Sequence, residues 1–460
     1  MKKLFALVLA VLMTLALFGC NSNQPQSAEP SAPPESSVAT EAPPVSEEQQ
    51  SSEAPAVVEE NTPASSDEQI TIIYQTWKGA GREADYSKVP GLENVTVEIL
   101  NLAYEASDSK MRVDLASNSS SVDVYAGYGN YTFDAVSDYM ADIEPYIIAD
   151  LGPAWKSYFP QPYIDEITDA NGVVKAIACG FIDDAVWFYD ADIFAKYGVS
   201  PPKTYDDLVA LCAAMKGQGF VPAMIGGSEG WILMSFALTI ATQTAPGEIY
   251  AAANFEQSWN TPGMIETFRI FQDTFKTIWQ DGALTASHYG DSWEMFLAGN
   301  TSMFLGSMAA GGVCNDEKYA DRNIRAFLFP DVNGDGQPSL SIAGTDEILF
   351  VNKNSAHIDE AAKVALYWGY GDGYKKVLNG GGSYGYFQAG MPDTTDWTPA
   401  TIALVENLME FYDVMRYSTT LKRNDTSQVF TDALMQLAAN AVTPERAVEQ
   451  LDQDCAALLD

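Results

Sequence analysis

From Ile70 onward, short β-branched apolar runs alternate with stretches whose apolar residues recur at helical spacing, and this alternation confines the chain to a layered α/β architecture. Ile70-Thr71-Ile72-Ile73-Tyr74 reads as a buried strand, Val95 to Leu100 as an alternating second and Val122-Asp123-Val124-Tyr125 as a third. Asp108 to Leu115 has helical character between the latter two, so mainly parallel pairing is expected. A second block starts near Val173, where Val174–Ala178 and Ala185–Tyr189 are strands flanking a turn at Phe181-Ile182-Asp183-Asp184. Thr204 then caps a helix with Asp207 as its capping-box acid, and Leu208, Leu211, Cys212 and Met215 form its apolar face. Met264, Ile265, Phe268, Phe271, Phe275 and Ile278 mark a later helix, and Thr443-Pro444-Glu445 opens the last. The 460 residues are enough for two to three domain units, and no solenoid repeat is present.

The segment before Ile70 has a different character. Met1-Lys2-Lys3 precedes an apolar run from Leu4 to Phe18, too short for a confident membrane span and shaped like a secretory signal. Leu17-Phe18-Gly19-Cys20 resembles a bacterial lipobox, which implies lipidation of Cys20 and removal of residues 1–19; the alternative is an uncleaved anchor helix. Residues 21–69 are rich in Ser, Pro, Glu, Gln and Ala, lack Lys, Arg and aromatic residues, and predict a disordered spacer. The remaining Cys179, Cys212, Cys314 and Cys455 match no metal spacing and are expected as buried small hydrophobes.

Charge narrows the function. Acids number 62 against 25 Lys plus Arg, a formal net charge of −37 that repels nucleic acid and anionic membrane surfaces. The only histidines, His288 and His357, argue against a His-rich metal site and leave few options for Ser-His-Asp catalysis. Asp331-Val332-Asn333-Gly334-Asp335-Gly336 starts like a calcium loop, but its twelfth position is Ile342, so a surface turn is expected. Gly380-Gly381-Gly382-Ser383-Tyr384-Gly385 follows a helical segment rather than a strand and is a weak dinucleotide signal. Neither a metal nor a cofactor is expected.

Several blocks together resemble one family, the extracellular solute-binding proteins of carbohydrate ABC importers, the maltose-binding-protein-like group. They are Asn171–Ile177, Trp187–Gly198, Pro202–Leu208, Lys216–Pro222, Phe296–Met303 and Thr443–Ala447, in family order over about 85% of the chain. The resemblance implies an α/β, two-lobed periplasmic-binding-protein-like (type II) fold with hinge strands. It places the first lobe at 70–182 and 331–375, the second at 183–330 and 376–460, and the tether at 20–69. Closure is expected about crossovers near 179–185 and 325–330. Two features depart from the family. Only about seventeen residues, Lys78 to Asn94, separate the first two strands, and Met308 stands where a sugar-stacking Trp is usual.

A sugar offers C–H faces to aromatic rings and hydroxyls to paired donors and acceptors. Candidate ligand-binding residues on strand-end loops are therefore Trp77, Lys78, Tyr128, Asn130, Asp183, Glu229, Trp231, Met308, Tyr384 and Tyr386. Each has a packing alternative, and Trp187, Trp259 and Trp279 are assigned to packing. The implied partners are a carbohydrate, the transmembrane subunits of an ABC permease, and the cell membrane through the lipid anchor, with the protein outside the cytoplasm as a monomer. A glycoside hydrolase using Asp183, Glu229 or Glu347 is the rival from another class, and a peptide or polyol receptor is the third reading.

Overall fold

The computed structural model describes residues 69–459 apart from 130, 346, 380–393, 412–414 and 420. Cys20, the apolar run, the tether, Asn130, Tyr384 and Tyr386 therefore lie outside the described residues, as does the Gly380–Gly385 motif.

Twelve strands are described: β1 Ile70–Thr76, β2 Val95–Asn101, β3 Val124–Gly127, β4 Ala176–Ala178, β5 Phe181–Asp183, β6 Val186–Asp190, β7 Val221–Met224, β8 Thr301–Gly306, β9 Ile324–Phe327, β10 Ser341–Thr345, β11 Ile348–Val351 and β12 Met415–Tyr417. They form two main sheets, β2-β1-β3-β11-β4 and β7-β8-β6-β9, and a small connecting sheet, β12-β10-β5. The two main sheets define the two lobes. Pairing is parallel for β1 with β2 and β3, and for β7 with β8. It is antiparallel for β11 with β3 and β4, and for β6 with β8 and β9. Both sheets are thus mixed rather than mainly parallel: the late strand β11 runs against its neighbours in the first sheet, and β6, the earliest strand of the second, runs against β8 and β9.

Local signals in the sequence set the helices that matter below: α1 Tyr104–Ala116, α2 Gln161–Glu166, α3 Tyr205–Gly217, α4 Gly230–Thr244, α5 Glu248–Ala253, α6 Pro262–Thr277, α7 Trp293–Leu297, α8 Ile358–Gly369, α9 Pro399–Met409, α10 Asn424–Ala438 and α11 Pro444–Ala457. The Thr204–Asp207 capping box opens α3. Thr261 and Thr443 cap α6 and α11, each followed by proline in the first turn. The short link from β1 to β2 folds into two 3₁₀ turns, Gly79–Arg82 and Tyr86–Lys88, where a longer helix would not fit.

Strands β6 and β8 read as continuous apolar runs because both of their faces are covered. Phe188 and Phe304 join one core cluster, and Trp187, Met303 and Leu305 join the other. Trp187 is fully buried and stacks on Trp279 at 4.8 Å. Cys179, Cys212, Cys314 and Cys455 are all buried.

The chain crosses between lobes on β5 and β10, which pair antiparallel, with β12 alongside. The second crossing therefore lies at 341–345; residues 325–330 belong instead to the β9 edge of the second sheet. Residues 331–340, expected in the first lobe, hydrogen-bond to the second: Asp331 bridges to Thr204, Val332 N–H donates to Gln243, and Leu340 N–H to Thr242. The Asp331 carboxylate accepts the N–H groups of Asn333, Gly334 and Gly336, which makes the segment a self-closed turn.

Just past the crossing, Glu347 is buried in an ion pair with Arg82, which lies over the Trp368 ring at 5.0 Å. Thr76 also donates to Glu347, at 3.1 Å. Arg82→Leu leaves this carboxylate buried and uncompensated. It is expected to lower unfolding stability by about 3–5 kcal/mol, with Arg82→Leu/Glu347→Leu recovering most of the loss in a denaturant titration. Equal losses in the single and double variants would contradict this account of the pair.

Candidate functional site

Between the two sheets and against the connecting strands lies a cleft of about 760 Å³. Lys78 and Tyr128, at the ends of β1 and β3, line it from the first lobe. Asp184, Gly344, Thr345 and Thr419 line it from the crossing segments. The second lobe contributes Ser228, Gly230, Trp231, Met234, Tyr289, Ser307 and Ala309, with Asn424, Ser427, Gln428, Thr431 and Met435 on α10. Among these described lining residues only Lys78 and Asp184 are charged.

The aromatic residues are held in place by their neighbours. Tyr128 packs against Trp77 at 5.1 Å and Tyr104 at 4.8 Å, so Trp77 buttresses the lining ring without itself lining the cleft. Trp231 is fixed from below. Glu229 accepts its indole N–H at 2.9 Å and, with the other oxygen, the backbone N–H of His288 at 2.7 Å. The His288 ring lies edge-on to Trp231 at 4.7 Å. A Cβ at Gly226 would fall on the His288 backbone, and one at Gly230 would press into Thr431, so these glycines permit the close seating. His288 is fully buried with no partner for either ring nitrogen. Burial pushes its pKa down to about 4, against the opposing pull of Glu229, and the ring is neutral at neutral pH.

Helix α10 was missed by sequence reasoning. Asn424, Ser427, Gln428, Thr431 and Met435 recur at helical spacing along the cleft, while Phe430, Ala433, Leu434 and Leu437 face the core. The available signal was an uncharged hydrogen-bonding stripe opposite an apolar one. Thr345 was also missed. It lines the cleft, while its own hydroxyl is buried beside Gly129 without a hydrogen-bond partner among the described residues.

Besides Trp77, three expected contacts fall elsewhere. Asp183 is 1% exposed: its carboxylate takes the Ser341 hydroxyl, the Ile342 N–H at 3.1 Å and the Ala185 N–H at 2.7 Å, so it ties β5 to β10 and leaves the lining to Asp184. Met308 is buried and its sulfur accepts the Asp183 N–H, which leaves Ser307 and Ala309 to form the wall. Glu229 orients Trp231 rather than lining the cleft. No group of metal-ligating side chains is present among the described residues.

The sequence profile of the bacterial extracellular solute-binding proteins matches residues 68–376, and the chain belongs to that family. Solved structures share the two-lobed fold. One, from a study of xylan utilisation by Caldanaerobius polysaccharolyticus, is 20% identical, with a TM-score of 0.68, covering 84% of this chain and 99% of its own. A Bacillus licheniformis sugar transporter in complex with stachyose is 18% identical, with a TM-score of 0.64, covering 84% and 98%. A maltose-bound T. maritima protein is 16% identical, with a TM-score of 0.66, covering 85% and 100%. No curated protein matches the chain.

Burial without a compensating cation raises the Asp183 pKa from 3.8 to about 6, despite three hydrogen bonds that favour the anion. A folded value above the unfolded one means stability that is full below pH 3.8 and lost as pH rises through about 6. His288 acts oppositely, its contribution being full above pH 6.5 and lost as pH falls through about 4. Asp183→Asn removes only the first dependence. The melting temperature of the variant should therefore gain on that of the original chain as pH rises from 3.8 to about 6, and parallel curves would contradict the assignment.

Proposed function

We propose that this protein is the lipid-anchored substrate-binding component of an ABC importer, and that it captures a neutral oligosaccharide in the interlobe cleft for delivery to the permease. The observation that carries this reading is the lining: amide and hydroxyl groups of α10 beside the Trp231 ring on the second lobe and the Tyr128 ring on the first, with one cation and one carboxylate among the described lining side chains. Hydroxyls need that balance of donors and acceptors, and sugar C–H faces need the rings. A strongly charged ligand would need more compensation than one lysine supplies.

Closure follows from geometry. A guest in the cleft reaches Tyr128 and Lys78 of one lobe together with Trp231 and α10 of the other only when the lobes approach. Its affinity is therefore greater for the closed state, and binding shifts the population toward it. The permease reads the closed shape. Cys20 anchors the chain through its lipid, and the 20–69 tether gives the body reach from the membrane surface.

The guest leaves unaltered. The three carboxylates considered for hydrolysis are engaged elsewhere: Asp183 on the crossing strands, Glu229 on Trp231 and His288, and Glu347 on Arg82.

Thermal-shift measurements with neutral oligosaccharides, peptides and polyols test this reading. A ligand at a hundred times its Kd stabilises the native state by about 2.7 kcal/mol. The expected outcome is a raised melting temperature with oligosaccharides alone, intact sugar on chromatography, and affinity weakened about tenfold or more by Trp231→Ala. Stabilisation by peptides or polyols in place of sugars, or released shorter sugars, would contradict it.

A further inference from the structure

The cleft does not end at Tyr289 and Ala309. The same two residues line a second groove of about 660 Å³ on the second lobe, between α7 and the 3₁₀ segment Met308–Asn315. Each of the two spaces falls in the ~300–1,000 Å³ range of a complete small-molecule site, so together they exceed what one or two sugar rings require.

Tyr289 sits at the junction. It is 49% exposed, an unusual state for a large ring, and it belongs to the π-turn His288–Ser292, a type of irregularity often found at functional sites. Its ring meets His288 edge-on at 4.5 Å, and the His288 ring also meets Trp231 at 4.7 Å. One buried imidazole, fixed by Glu229 through its backbone, thus backs two rings in succession: Trp231 within the cleft and Tyr289 at its mouth. Ser287 caps the turn by accepting the Asp291 N–H, which stabilises the exposed ring's position.

Beyond Tyr289 the groove continues past Trp293 and Tyr319, with Glu294, Asn315 and Asp316 along it. No cation lines it among the described residues. Carboxylate oxygens accept from sugar hydroxyls and repel uronates or phosphates. Small residues, Ala309, Ala310 and Gly312, leave room at the wall.

We infer that the groove is an extension subsite, that Tyr289 is the stacking platform joining it to the cleft, and that the ligand is a neutral oligosaccharide long enough to occupy both. This rests on the carbohydrate reading above and adds length and direction to it. Units in the cleft are enclosed by two lobes. Units in the groove touch the second lobe only, so the chain end emerges along α7 and stays partly solvated. Affinity then depends on chain length.

Calorimetric titration of the full protein with a neutral oligosaccharide ladder, from one unit to six, tests the inference. Affinity should continue to rise beyond the lengths that fill the cleft, then level off. Ala310→Trp, which fills the groove, should flatten this rise so that a pentasaccharide binds no more tightly than a disaccharide. Tyr289→Ala should weaken binding of the longest chains by about threefold to tenfold. An unchanged unliganded melting temperature shows that each variant is folded. Affinity that is already constant from the disaccharide upward, or length dependence that persists in Ala310→Trp, would overturn the subsite while leaving the carbohydrate reading standing. Failure of every sugar length to bind would overturn both.

Discussion

Two buried carboxylates hold the strands on which the chain passes between lobes. Asp183, on β5, reaches Ser341 and Ile342 at the start of β10, and Glu166, at the end of α2, accepts the Thr345 N–H at 2.8 Å and the Ser418 hydroxyl at 2.9 Å. Burying a carboxylate is costly unless its oxygens are well supplied with donors. Here the donors come from the other crossing segments, so the cost is offset only while those segments keep their register. Tyr250 of α5 donates to the Ser418 carbonyl and stacks on Tyr417 at 5.7 Å, which fastens the third crossing strand to the second lobe. The cleft walls inherit their positions from this junction: Asp184, Gly344, Thr345 and Thr419 all lie within a residue or two of these bonds.

The second lobe adds a different kind of order. Glu229 joins the start of α4 to the π-turn nearly sixty positions later, and the neutral His288 ring fills the space between. Trp231 and Tyr289 therefore cannot shift independently. The first lobe offers a smaller surface, Tyr128 backed by Trp77 and Tyr104 at the ends of β1 and β3. A rigid, ring-bearing second lobe and a smaller opposing face suit a receptor that first seats its guest on one side and then closes the other.

Much of this was legible in the sequence. The capping signals at Thr204 and Thr443 are local, and the helices begin where they say. The strands at Ile70, Val95 and Val186 appear within a residue or so of the expected starts, because β-branched runs have few other uses. Strand direction was not legible, since β11 and β9 arrive from far along the chain to pair antiparallel. Among site residues, Lys78 and Tyr128 line the cleft because they follow β1 and β3 closely, and Trp231 lines it from the first turn of α4. Asp183 and Met308 missed it by one position, and one position along an extended segment turns a side chain to the other face. Glu229 was adjacent in sequence to the lining but committed to orienting it. The α10 stripe was hidden because serine, glutamine and threonine on a helix face look like any solvated surface until the opposing lobe is in place.

The central claim is that binding brings two lobes together about the crossing strands. Small-angle X-ray scattering of the purified protein, with and without a saturating neutral oligosaccharide, measures this directly. The account predicts a smaller radius of gyration in the bound sample, returning to the starting value when the sugar is removed. Saturation shown by calorimetry on the same sample, with no change in scattering, would contradict it.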